Sequence, residues 1–243
     1  MYTFNNTQEL VDQASKDRVY GGEDFHLLRQ QARDRVPLDK IIRTATFEFR
    51  FFCVCKGYSQ FINNFRFDKL NSYLVLLLIE EQPQLADRCN LKILDGRTWS
   101  LLLQKRPEFA DRCDWSLLLQ DDWIDLLREK PQFYKFCNIE FDGRSWMRII
   151  SRQPQLVEHC DFSLFDGICW SLLLMKKPQF SEHCRWEVLN GDDWVMLLID
   201  QPQFSEQCRW ELLSNNNWYW LIYNRPEFSN TRKLYTESES NKL

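Results

Sequence analysis

The sequence predicts an all-α chain: one domain, an α-solenoid of about eight 24-residue repeats, each a short helix followed by a helical turn, behind a helical N-terminal cap. Three observations carry this. Seven prolines, Pro83, Pro107, Pro131, Pro154, Pro178, Pro202 and Pro226, recur at intervals of 24, 24, 23, 24, 24 and 24. Trp stands eight residues before each of the last six (Trp99, Trp123, Trp146, Trp170, Trp194, Trp218), and Cys six residues after each of the first six (Cys89, Cys113, Cys137, Cys160, Cys184, Cys208). Gly occurs only 7 times in 243 residues against 10 Trp and 18 Phe, which favours aromatic-cored helices with short turns over glycine-rich loops.

Residues 1–46 read as the cap, with a helix over residues 23–35 to which Phe25, Leu27 and Leu28 give an apolar contribution. The repeat register begins weakly after it. Ser59-Gln60-Phe61 fills the Pro-Gln-Phe slot, Phe65 the Cys slot, and Phe67 and Leu70 the positions after it; Phe51 falls on the Trp slot, with Val54 and Cys55 behind it. Phe47-Glu48-Phe49-Arg50-Phe51 also alternates as a strand would, so strand and helix both stand here. The repeats run over residues 47–230. Within each, Trp with aliphatics three and four positions later defines the buried face of a helix. Pro closes that helix and opens a second helical turn, in which Phe or Leu and then Cys are placed inward. Asp95-Gly96, Asp142-Gly143, Asp166-Gly167 and Asn215-Asn216 are assigned to turns and to the next N-cap. Residues 231–243, rich in Glu, Ser and Asn, read as a polar flexible tail.

A 24-residue unit cannot bury a Trp, two aliphatics, a Phe and a Cys alone, so successive units must stack. At helix spacings of roughly 8 to 10 Å, eight of them make a curved rod on the order of 70 to 80 Å long. The unit resembles bacterial-type tandem repeats built on Trp, Pro-Gln-Phe and Cys, over residues 59–229. Its length and proline placement are similar to the leucine-rich variant α-solenoids, in which a helix alternates with a 3₁₀ segment. These resemblances imply a stacked helical architecture and no particular activity.

Enzymatic signatures are missing: no G-x-x-x-x-G-K-[ST], G-x-G-x-x-G, G-x-S-x-G or H-E-x-x-H is present, and only 3 His are available as bases. The acids Asp111, Glu158, Glu182 and Glu206 recur once per repeat, as a solvated face does. The expectation is therefore not an enzyme, with no catalytic residue and no cofactor. The cysteines Cys113, Cys137, Cys160, Cys184 and Cys208 join the six motif Trp as structural core. About 10 Å between stacked copies exceeds disulfide reach, and no C-x-x-C pair suggests zinc. His159 and His183 beside Cys160 and Cys184 are read as solvent-facing, so no metal is expected.

Function must then reside in a surface. On the helix face one and five residues after the motif Trp, the ladder runs Ser100 and Gln104, Ile124 and Arg128, Met147 and Ser151, Ser171 and Met175, Val195 and Ile199, Tyr219 and Tyr223, turning apolar toward the C-terminus. If solvent-facing, Met175, Val195, Ile199, Tyr219, Trp220 and Tyr223 form a partner-binding patch; against this, the last aromatics could simply pack on the tail. The leading reading is a cytoplasmic, non-catalytic scaffold that binds a protein as stoichiometric inhibitor or adaptor, by analogy with the counter-defence binders of phages and bacteria. A second reading takes the basic ladder Lys105, Arg106, Lys130, Arg152, Lys176, Lys177 and Arg225 as a stripe for single-stranded RNA or DNA, against a net charge of -4. A third is a self-assembling structural protein, a homo-oligomer through the C-terminal face. No apolar run is long enough for a membrane span, and the N-terminus lacks a secretory leader's pattern.

Overall fold

The computed structural model describes residues 2–17 and 22–240; Met1, residues 18–21 and residues 241–243, which fall in the expected cap and tail, lie outside it. The described residues are all helical, in a repeated pattern, with no strand beyond one isolated bridge between Tyr2 and Tyr58. None of their helices is long and apolar enough to cross a membrane. They gather into two compact units, Met1–Asp122 and Trp123–Leu243.

The first unit opens with α1 (Thr7–Lys16), α2 (Gly22–Arg33) and α3 (Leu38–Thr44), the first two packed together. Next comes α4 (Phe47–Cys55), capped by the Thr46 hydroxyl, which accepts from the Phe49 N–H. The whole segment is helical, so the alternating pattern is overruled: Phe51, Val54 and Cys55 are buried on the repeat register. The short α5 (Ser59–Asn63) buries Phe61 where later repeats bury the residue after Pro-Gln or Pro-Glu. Tyr58, fully buried, packs edge-on to Phe4 and donates its hydroxyl to Asp17 at 2.8 Å, tying the cap to the repeats. The unit continues with α6 (Ser72–Glu81) and α7 (Gly96–Lys105), which pack side by side.

Helix α8 (Gln120–Glu129) crosses the division between units. In the second unit α9 (Gly143–Ile150), α10 (Gly167–Lys176), α11 (Gly191–Asp200) and α12 (Asn215–Asn224) pack each against the next. The last helix, α13 (Phe228–Ser240), packs on α12. Residues 231–240 are thus helical rather than a structureless tail: Phe228 is buried, and the Tyr235 ring meets Trp218 at 6.4 Å.

Between helices the chain adopts 3₁₀ turns, usually two per repeat. The longer one begins at the motif proline, as in Pro107–Arg112, Pro178–His183 and Pro202–Gln207. Proline's fixed φ suits that first position, and the residue before it leaves the helical region, with φ between -123° and -139° from Gln82 to Gln201. The shorter turn, such as Trp186–Val188 or Trp210–Leu212, lays an aromatic ring on the next helix's Trp: Trp186 stacks on Trp194 at 5.5 Å and Trp210 on Trp218 at 5.2 Å. All six motif Trp are buried. The indole N–H of Trp170 and of Trp194 finds no acceptor among the described residues, so ring size and shape are what the slot uses.

Helix starts follow one rule. Asp95, Asp142, Asp166, Asn190 and Ser214 cap α7, α9, α10, α11 and α12 through the backbone N–H three residues on. The cap of α12 is therefore Ser214 rather than the Asn pair after it. Nor do the glycines that follow the cap serve as turn residues: they are the first helical residues, and a Cβ on Gly143 would sit 2.2 Å from the Leu164 carbonyl oxygen. Gly is required by the close approach of the following repeat, not by a left-handed φ.

Candidate docking face on helix α12

Helix α12 is fixed at both ends and along one side. Ser214 and Asn217 form a reciprocal capping box, and Asn217 Nδ2 donates to Asp192 Oδ1 of α11 at 2.6 Å. At the other end Arg225 Nε donates to the Ile199 carbonyl, the C-terminal carbonyl region of α11, at 2.6 Å. Trp218 and Leu221 are buried. With about 100° per residue, Tyr219, Tyr223 and Trp220 fall within an arc of about 100° on the opposite side. They are 61%, 70% and 56% exposed. The rings make one cluster: Tyr219 stacks on Tyr223 (6.2 Å, 18°), and Trp220 stands edge-on to Tyr219 (5.7 Å, 75°) and to Tyr223 (6.2 Å, 87°). Asn224 Nδ2 donates to the Trp220 carbonyl at 2.8 Å, closing the helix beneath the cluster. Helix α13 approaches α12 through Tyr235 on Trp218 and Arg232 on Asn215, and leaves the three aromatics exposed. Among the described residues the three rings are not covered by the C-terminal segment.

The rest of the expected patch does not join them. Val195 is 8% exposed, and Ser100, Ile124 and Ser171 in the same slot are buried, so the position after the motif Trp faces a neighbouring helix instead of solvent. In α7, Ser100 Oγ donates to the Asp122 carbonyl at 2.9 Å from this position. Met175 and Ile199 are half-buried. What the sequence presented as one apolar ladder is largely a packing seam, half-buried at Met147 and open at its last pair, Tyr219 and Tyr223.

The basic ladder also separates. Before five of the seven motif prolines the residue reaches back to the C-terminal turn of the preceding repeat's helix: Arg106 donates to the Glu80 carbonyl and Arg225 to that of Ile199. Glutamine does the same, Gln82 to Cys55 O (2.8 Å), Gln153 to Arg128 O (2.5 Å) and Gln201 to Met175 O (2.7 Å). The slot selects a long hydrogen-bond donor, not a charge, and it satisfies carbonyls that a helix end leaves open. Reading only the cations hid this; Gln in the same slot was the available signal. Arg152 pairs with Glu129 at 3.0 Å. Lys105 and Lys176 are exposed, Lys130 and Lys177 half-buried.

All nine cysteines are free. Each motif Cys is the extended residue ending a 3₁₀ turn; Cys208 is buried, and Cys89, Cys113, Cys137, Cys160 and Cys184 are half-buried. Three residues per 3₁₀ turn place a side chain four positions after the buried Phe or Leu off its face, which the α-helical spacing had put in register. Burial pushes the thiols of Cys113, Cys160, Cys184 and Cys208 up to about 12. They are neutral and weakly nucleophilic at pH 7. His159 stacks on Tyr134 at 4.3 Å and His183 on Phe162 at 4.9 Å; among the described residues no three of His, Cys, Asp and Glu converge as a metal site would require.

No family model, curated protein or solved structure matches this chain.

Proposed function

We propose that the chain is an α-solenoid of about eight 24-residue repeats acting as a non-catalytic, cytoplasmic protein-binding scaffold, a stoichiometric inhibitor or adaptor of a protein partner. The observation that carries this reading is the exposed aromatic cluster Tyr219, Trp220 and Tyr223, held on a helix whose opposite side and both ends are tied down. Tyr and Trp supply large contact area at small entropic cost and dominate binding hot spots. A rigid mounting spares the partner the cost of ordering them. The nucleic-acid alternative is weakened because Arg106 and Arg225 are engaged with backbone carbonyls and Arg152 with Glu129.

The test is quantitative affinity capture from the native cell with the wild-type chain and with Tyr219→Asp/Tyr223→Asp as bait. A partner recovered by the first should fall at least about tenfold with the second, as loss of aromatic hot spots costs 2 kcal/mol or more. Equal recovery by both baits would refute this docking face. Micromolar binding of random single-stranded RNA, falling steeply with salt and abolished by Lys105→Glu, Lys130→Glu and Lys176→Glu, would support the nucleic-acid reading instead.

A further inference from the structure

We propose that the occupant of the α12 face is a second copy of this chain, docked α12 against α12 about a two-fold axis; the proposal rests on reading Tyr219, Trp220 and Tyr223 as a protein-docking surface. Two observations favour a second copy, and a third sets how strongly it binds.

The first is the slot. In the second unit Met147, Ser171 and Val195 occupy the position that Tyr219 occupies in α12; Met147 is half-buried and the other two are buried, on helices that each pack against the next. The slot is repeated at Tyr219, which among the described residues is left 61% exposed. The residues differ in size, however: Ser and Val admit close helix contact, whereas Tyr219 and Tyr223 hold a visitor farther off. That disfavours another repeat entering in register, head to tail, and suits aromatic rings meeting aromatic rings.

The second is charge. Among the ten-residue helices of the described chain, α12 alone has no Asp, Glu, Lys or Arg. A two-fold contact sets a surface against itself, so any net charge in it faces its own sign. The exposed side of α12, Asn216, Tyr219, Trp220, Tyr223 and Asn224, meets that condition, and offers a charged partner nothing to pair with.

The third is area. A covered Tyr or Trp buries about 150–250 Å², so three rings exposed as these are contribute roughly 300–400 Å² per copy. Two copies then bury well under the roughly 1,200 Å² of a standard interface. The dimer is accordingly weak and reversible, with a dissociation constant above about 10 µM.

Sedimentation velocity of the full chain from micromolar to millimolar concentration tests this. The weight-average mass should climb from monomer to twice that value and stop. Tyr219→Asp/Tyr223→Asp should stay monomeric with an unchanged circular dichroism spectrum, while Tyr219→Phe should still dimerise. A monomer at every concentration, growth beyond the dimer, or a double variant that dimerises like the wild type would each overturn the proposal. The broader reading fails separately: if the wild type stays monomeric but the double variant loses a captured protein, self-pairing is wrong and the docking face stands.

Discussion

Leu119 stands where six other repeats place Asp, Asn or Ser at the helix N-cap, and it is 73% exposed. Half of a capping box survives there, the Leu119 N–H donating to Asp122 Oδ2 at 3.0 Å, but leucine has no oxygen to offer in return. Leu119→Ser should therefore raise stability by about 1 kcal/mol in urea titration, completing the arrangement seen at Ser214 and Asn217. Gly143→Ala has the opposite sign. Helix propensity favours Ala by about 1 kcal/mol, but the new Cβ meets a backbone carbonyl that no rotamer change can move, so a net loss of about 1–3 kcal/mol is expected from the same titration. The thiols set an alkaline limit. Burial raises them above the unfolded value of roughly 8.5, so their contribution is fully present below that pH and is lost as pH rises toward about 12. Melting temperature should be flat from neutral pH to about 8.5 and fall above it, with Cys113→Ala and Cys160→Ala together softening the fall.

At the scale of elements, an inter-repeat bond recurs before five of the seven motif prolines. Gln201→Ala removes the donor to the Met175 carbonyl, a half-buried contact, and should cost about 1–3 kcal/mol; Gln201→Arg should retain most of it, because Arg106 and Arg225 fill the same role. Hydrogen exchange at the last turn of α10 reads the effect locally. Much of this level was legible in the sequence: Trp with paired aliphatics gave the helices and their buried side, and Asp before Gly gave the caps. What was not legible depends on contacts between repeats. Nothing in one unit says that Gly143 lies under the Leu164 carbonyl, or that Val195 is covered by a neighbouring helix while Tyr219, in the same slot, is not. The helical course of residues 231–240 also escaped composition, because Phe228 and Tyr235 supply the anchoring that the polar run around them lacks.

For the molecule as a whole, residues copied once per repeat built the scaffold and the departure from the copy marked the surface. Trp99 through Trp218 are interchangeable in role, and so are the donors before proline; the aromatic cluster on α12 occurs once. A net charge of -4 gives no general attraction to polyanions, which favours the proposed neutral aromatic face over a basic stripe. The most direct check is hydroxyl-radical footprinting of the chain alone and with its captured partner, read residue by residue by mass spectrometry. Tyr219, Trp220 and Tyr223 should lose most of their reactivity on binding while exposed Tyr73 and Leu164 keep theirs. Three aromatics as reactive in the complex as in the free chain would contradict the assignment of this face.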